Sequence, residues 1–491
     1  MRECALLETL RTCAATAPAA TAIKAGDGTV TYGELWTRIE RTGERLGSVG
    51  SDRCLLVPAM TVESVVTFYA AISRGMVPFL ADPTWDAAMI SRIAASHGVR
   101  RVLVDAVWRD RAEALPEADE TRPLSEGMSS SLLSAGPSDA PALAASTRFV
   151  RFSSGSTGRP RGLEFSAGAA LAAARGWVAA AALSRDDRVL CIAALSNGLA
   201  FNTSLLPVFL VNASVALYSE PLLPGAVLHA IDRLRPTIVV AFPFVYQLLL
   251  SRERRLAEAF AGVRLTVSSA APLAPEADAA WRAATGRSIG HYFGLAEAGP
   301  VTFNDGTVPG RAGTAIPGND LKIVADPDGR TAGRIAVRTP SMATGYVGED
   351  RAAFNGEFDA DGFLVTKDIG ALDPDGRLAV HGRIGRLINI AGVKIDPTEI
   401  ESVLKRLGGV EDARVEPAAG AAAMLIHAFV ETTSLDRERI IQHCRDHLPA
   451  LKIPHRVVAL ARFPRSASGK IDIASLRAAA GLPADTSSRN G

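Results

Sequence analysis

The first legible helix opens at Thr31, Tyr32, Gly33 and Glu34. Thr31 can cap it, Glu34 follows three residues later, and Leu35, Ile39 and Leu46 recur at near-helical spacing. A second apolar helix runs through residues 62–72 into residues 75–83, where a short strand and a Pro-rich turn are predicted. Strand and helix patterns then alternate, which predicts layers of α/β architecture. Residues 116–147, rich in Ser, Ala and Pro, read as a loose connector with little periodicity. Between residues 189 and 219 the pattern changes: 31 consecutive positions carry no charge. That exceeds the ~20 residues that cross a bilayer, but Ser196, Asn197, Gly198, Asn202, Thr203, Ser204, Pro207 and Asn212 interrupt the run with polar or helix-breaking groups. The reading is a strand over 189–194, a turn, a helix over about 202–211 and a strand over 214–218, with no membrane span.

Composition narrows the class. At ~150 residues per domain, 491 residues allow two to four domains. Lys plus Arg, 53, nearly cancels Asp plus Glu, 52, so no global field favours nucleic acid or anionic lipid. An apolar fraction of 48% against 21% charged excludes a disordered chain. The cysteines at 4, 13, 54, 191 and 444 form no C-x-x-C pair, which points away from a disulfide scaffold or zinc ribbon and towards a reducing cytoplasm. Glu3 and Glu8 stand where a secretion signal would carry basic and then apolar residues. His443 and His447, four apart without a third ligand nearby in sequence, read as helix-surface histidines.

Candidate chemistry begins at residues 151–162, RFSSGSTGRPRG. Small and hydroxyl residues let such a loop turn backbone N–H groups inward around an anion, and Arg159 and Arg161 favour phosphate. The Walker pattern fails, with Pro160 where the second Gly should stand and Arg161 where the Lys should. Further islands follow in order: YFGLAE at 292–297, GFLVTKD at 362–368, HGRIGRLINIAGVKIDPTEIE at 381–401 and PRSASGKID at 464–472. From TYGEL at 31–35 to Gly469-Lys470, this ordered set resembles the adenylate-forming superfamily of acyl- and aryl-CoA ligases, nonribosomal-peptide adenylation domains and luciferases.

The resemblance implies a large N-terminal α/β domain, 1–384, holding the ATP and acid pockets, and a small mobile C-terminal α+β domain, 385–491, hinged at Gly385. It also implies two half-reactions, in which a carboxylate attacks the α-phosphate of ATP and a nucleophile then displaces AMP. Ser153, Ser154, Gly155, Ser156, Thr157, Gly158 and Arg161 are expected around the phosphates. Ser269, Ala270 and Ala271 are expected to line the adenine slot beside Tyr292, Phe293 and Gly294. Glu297 is expected on Mg²⁺, Asp368 and Arg383 at the ribose and phosphates, and Lys470 between the attacking carboxylate and the α-phosphate. Departures from the pattern include Arg161 for Lys, Ser156-Thr157 for Thr-Thr, Phe293 for Tyr, Ala296 for a Thr before Glu297, and Lys367 for Gly.

For the acid pocket the resemblance implies Asn202, with Asn197, Phe242, Tyr246, Tyr292 and Pro300 as further candidate positions, the aromatics among them also readable as simple core. Asn202 stands where amino-acid-activating relatives carry an Asp for the substrate ammonium, so it either hydrogen-bonds a ring substituent of an uncharged or aromatic acid or merely caps the helix. The expected co-substrate is CoA, with a phosphopantetheinyl carrier protein or an amine as alternative acceptors. A nucleotide-binding homologue without chemistry is the alternative of another class. Against it, Glu297, Asp368, Arg383 and Lys470 are all present.

Overall fold

The structure is a computed structural model. It describes all residues except 1–3, 27, 48–52, 116–117, 134–139, 154–159, 271–272, 274, 309, 326–331, 349, 385–387, 391–392, 396, 420–423, 467–470 and 483–491. The chain divides into two units: 1–322 with 336–365 and 373–378, and 323–335 with 366–372 and 379–491. The boundary runs within the strands Asp320–Ala325, Gly333–Arg338, Leu364–Leu372 and Leu378–Arg383.

The first unit holds a nine-stranded sheet and an eight-stranded sheet. In the nine-stranded sheet Arg188–Cys191, Ser214–Leu217, Ile238–Ala241, Leu265–Ser268 and the start of Gly290–Leu295 run parallel. Alternate residues of these strands serve different cores. Val189, Cys191, Val240 and Val267 pack with Tyr292 and Phe201, whereas Leu190, Val239 and Ala241 pack with Tyr246 and Trp281. The capping box at the helix Tyr32–Leu46 is formed, with Thr31 and Glu34 bonded reciprocally and Leu35, Ile39 and Leu46 fully buried.

The expected connector over 116–147 contains a polar hairpin, Ala118–Ser125 with Met128–Leu133, which extends the eight-stranded sheet beside Arg101–Asp105. Pro123 is tolerated there because Ala118–Ser125 is the edge strand. Among the described residues, no helix is long and apolar enough to cross a membrane. The uncharged stretch instead forms the strands Arg188–Cys191 and Ser214–Leu217 with helical turns from Gly198 to Leu210 between them. Within those turns Phe201–Leu205 is a wide π turn, closed by Leu206 N–H donating to the Phe201 carbonyl. Pro207, having no N–H to return to the preceding turn, accounts for the change of register.

The second unit packs the helices Pro397–Lys405 and Arg437–His447 around Ile388, Ile395 and the sheet Asp412–Ala419, Met424–Glu431 and Arg456–Leu460. His443 Nε2 lies 2.9 Å from the Val403 carbonyl, which joins the two helices.

Asp187, next to the central strand Arg188–Cys191, supplies a test of the first unit's stability. Burial raises its carboxyl, but bonds from Arg264, Ser184 and Thr237 outweigh burial and hold it at about 2. A depressed folded-state value contributes stability above the unfolded value near 4, and that contribution is lost as pH falls towards 2. The difference in urea-unfolding free energy between the wild type and Asp187→Asn is therefore expected to shrink as pH falls from about 4 to 2. A pH-independent difference would show that the charge is not what Arg264 recognises.

Candidate active site

Because the central strands run parallel, the segments after their carboxyl ends gather at one edge: residues 192–202, Phe242, Ser269–Ala270 and Glu297. Ligands of open α/β sheets bind at such edges. Here a hairpin of the eight-stranded sheet brings the phosphate-loop ends. Thr147–Ser153 pairs antiparallel with Arg161–Ser166, and Ser153 sits opposite Arg161. Glu164, fully buried, anchors the hairpin by accepting from Thr147 Oγ1 and Ala144 N–H and by pairing with Arg351.

Arg161 leads to Glu297 through a residue the sequence did not flag. Its guanidinium lies 4.1 Å from the Tyr346 ring centroid and donates from Nη2 to the Tyr346 hydroxyl at 3.0 Å. That hydroxyl donates to Glu297 Oε1 at 2.6 Å. Burial, then the Glu297 charge, push the Tyr346 hydroxyl far above its ordinary range, so it remains a neutral donor. Glu297 Oε2 has no hydrogen-bond partner among the described residues, and the half-buried carboxylate fits a hard cation. The backbone around it is fastened by Ala343 N–H donating to the Glu297 carbonyl and by Thr339 and Ser341 hydroxyls donating to the Ala298 carbonyl. Ala296 is exposed and brings no side-chain donor.

Beside this lies the proposed acid wall. The helix cap is Asn197, whose Oδ1 accepts from Leu199 N–H at 2.8 Å. Asn202 lies inside the π turn rather than at its start, only 6% exposed, with its side chain beside the Tyr292 hydroxyl. The capping alternative for Asn202 is thereby removed. Burial holds Tyr292 neutral, and its ring meets Trp177 edge-on at 5.5 Å. A methyl at Gly294 would come 2.8 Å from the Gly299 carbonyl and from the Tyr292 ring, so this position needs glycine for close approach. Phe293 is half-buried, and Pro300 is buried with its carbonyl accepting from Asn319. Phe242 packs in the core that contains Tyr292.

Tyr246 is a correction to the expected pocket. It packs with the other core, edge-on to Trp281, and its hydroxyl donates to the backbone carbonyls of Val239 and Val267. The sheet separates it from Asn202. Ser269 is buried, and Ala270 takes a left-handed φ of +71°. In the second unit, Asp368 is 7% exposed and has Arg383 Nη1 3.7 Å from its carboxylate. Lys367 occupies an ordinary strand position with its side chain exposed, so replacing Gly there imposes no special backbone. Ser154, Gly155, Ser156, Thr157, Gly158, Ala271, Gly385 and Lys470 lie outside the described residues.

The AMP-binding enzyme family matches residues 10–347, and the AMP-binding enzyme C-terminal domain matches residues 399–470. 4-Coumarate-CoA ligase 2 of Oryza sativa subsp. japonica is 29% identical over 92% of this chain and 87% of its own. 3-Hydroxybenzoate-CoA ligase of Aromatoleum sp. is 26% identical over 93% of this chain and 92% of its own. A benzoate CoA ligase structure from Burkholderia xenovorans superposes with a TM-score of 0.81, covering 96% of this chain and 99% of that one at 23% identity. An anthranilate CoA ligase in complex with anthranoyl-AMP gives the same score over 97% of each chain at 22% identity. The fold is that of the adenylate-forming ligases. The chain belongs to the AMP-binding enzyme family and is a ligase of the acyl- and aryl-CoA synthetase type.

Proposed function

We propose that the protein uses ATP and Mg²⁺ to convert an aromatic or otherwise ammonium-free carboxylic acid to its acyl-AMP, then transfers the acyl group to the thiol of CoA. The observation that carries the choice of acid is Asn202, a buried amide beside the Tyr292 hydroxyl. No carboxylate from Asn202 offers itself to an α-ammonium, whereas an amide can meet a ring hydroxyl or carbonyl. The names of the coumarate, hydroxybenzoate and benzoate ligases support the same class of acid.

In this reading Ser153, residues 154–158 and Arg161 bind the phosphates, while Ser269, Ala270, Ala271 and Phe293 receive adenine. Glu297 holds Mg²⁺, which when bound neutralises phosphate charge. Asp368 accepts from the ribose diol, Arg383 stands beside it, and Lys470 stabilises charge at the reacting carboxylate and α-phosphate. Gly385 is the hinge between a domain over 1–384 and one over 385–491. The test is ATP–pyrophosphate exchange across a panel of aryl, acyl and amino acids. It is followed by AMP release with CoA, a holo-carrier protein or simple amines as acceptor. Exchange with aryl acids and release with CoA support the reading; exchange confined to α-amino acids refutes it.

A further inference from the structure

Arg151 lies in the strand Thr147–Ser153, directly before the phosphate loop, and is only 6% exposed. Its guanidinium carbon sits 4.2 Å from the Phe165 ring centroid and 5.9 Å from that of Phe201. Among the described residues, Nε and Nη1 are buried without a hydrogen-bond partner and Arg151 makes no ion pair. Burial pulls its pKa down to about 10, against the attraction of the Glu297 carboxylate, so the group is still a cation at neutral pH.

Buried guanidinium without an anion is expensive, and ring faces recover only part of its lost hydration. Space has nevertheless been left for it. A methyl group at Gly198 would come 2.5 Å from Nη1, and Gly198 follows the helix cap Asn197 in the wall that carries Asn202. The uncharged run 189–219 thus packs against a cation supplied by another strand.

We propose that Arg151 is a specificity-determining residue that receives a second carboxylate carried by the acid substrate, with Gly198 as the clearance that makes the contact available. This rests on the reading of the protein as an acid-activating ligase. A full charge beside apolar rings favours an anion over a neutral acceptor, and a carboxylate oxygen is a strong acceptor for an unpartnered guanidinium N–H. An ATP phosphate offers the same oxygen chemistry, so the experiment must separate the two sources.

The test compares matched acids by ATP–pyrophosphate exchange: benzoate against phthalate, isophthalate and terephthalate, and butyrate against succinate and glutarate. At least one dicarboxylate is expected to exceed its monocarboxylate partner in kcat/KM by about tenfold or more. Arg151→Met should lower that ratio by at least about tenfold, and Arg151→Lys should restore part of it. Gly198→Ala, which keeps Arg151 but takes its space, should lower the same ratio. Three outcomes overturn the proposal: monocarboxylates preferred throughout by the wild type, both members of every pair reduced equally by Arg151→Met, or a raised KM for ATP with every acid alike.

If no acid supports exchange, the adenylation reading fails separately, and calorimetric titration of the same acids decides for Arg151. Dicarboxylate affinity lost in Arg151→Met and Gly198→Ala supports the anchor; no dicarboxylate binding to the wild type overturns it. An Arg151→Met protein that does not fold leaves Arg151→Lys and Gly198→Ala to give the same ratio.

Discussion

Glu297→Gln is expected to lower acid-dependent ATP–pyrophosphate exchange by at least about 10²-fold, while the thermal midpoint stays where it is. The substitution is nearly isosteric, and the amide oxygen can keep the bond that Tyr346 now gives to Oε1 at 2.6 Å. What is lost is the negative charge and the acceptor at Oε2, which has no partner among the described residues. Magnesium titration is the readout that separates a cation ligand from a structural carboxylate. The variant should need more Mg²⁺ for half-maximal exchange, and saturating Mg²⁺ should recover part of the loss. Wild-type exchange at every magnesium concentration would refute the assignment. Tyr346→Phe is expected to have the smaller effect, about tenfold. It removes one hydrogen bond to a charged group and leaves the carboxylate in place.

Much of this edge was readable from the chain, because its motifs are local. Thr31 and Glu34 are three residues apart, and the YFGLAE run carries Tyr292 to Glu297 on one strand and turn. Residues that act through distant partners were not. Tyr346 bridges Glu297 and Arg161, which are 49 and 185 positions away, and a lone TGY in sequence does not announce that. Arg151 looked like the lead into a phosphate loop, since only the fold shows Phe165, Phe201 and Gly198 closing around it. Tyr246 failed for a related reason. Alternation along a strand separates two faces, but nothing local says which core a following helix will join, and Val239 and Val267 claim its hydroxyl. The hairpin over Ala118–Leu133 escaped because an edge strand with Pro123 and polar alternation has the composition of a loop. The helix across 202–211 was anticipated, but its wide turn was not, since a π turn spoils periodicity by a single residue.

Lys470→Ala is expected to reduce acid-dependent pyrophosphate exchange by at least about 10²-fold, the scale on which removal of one electrostatic stabiliser acts. Lys470 closes the C-terminal family match at 399–470 and follows Ser468 and Gly469. Its proposed task is confined to the first half-reaction, where an anionic carboxylate approaches an anionic phosphate and positive charge is needed between them. Once acyl-AMP exists, that repulsion has been overcome. The same variant supplied with preformed acyl-AMP and CoA should therefore lose far less thioester formation than exchange. Lys470→Arg tests shape as well as charge: a planar, delocalised guanidinium replaces a compact ammonium, so partial recovery of exchange is expected rather than full. Equal losses in both half-reactions would assign Lys470 to the architecture of the C-terminal segment instead, and unchanged exchange would remove it from the chemistry altogether.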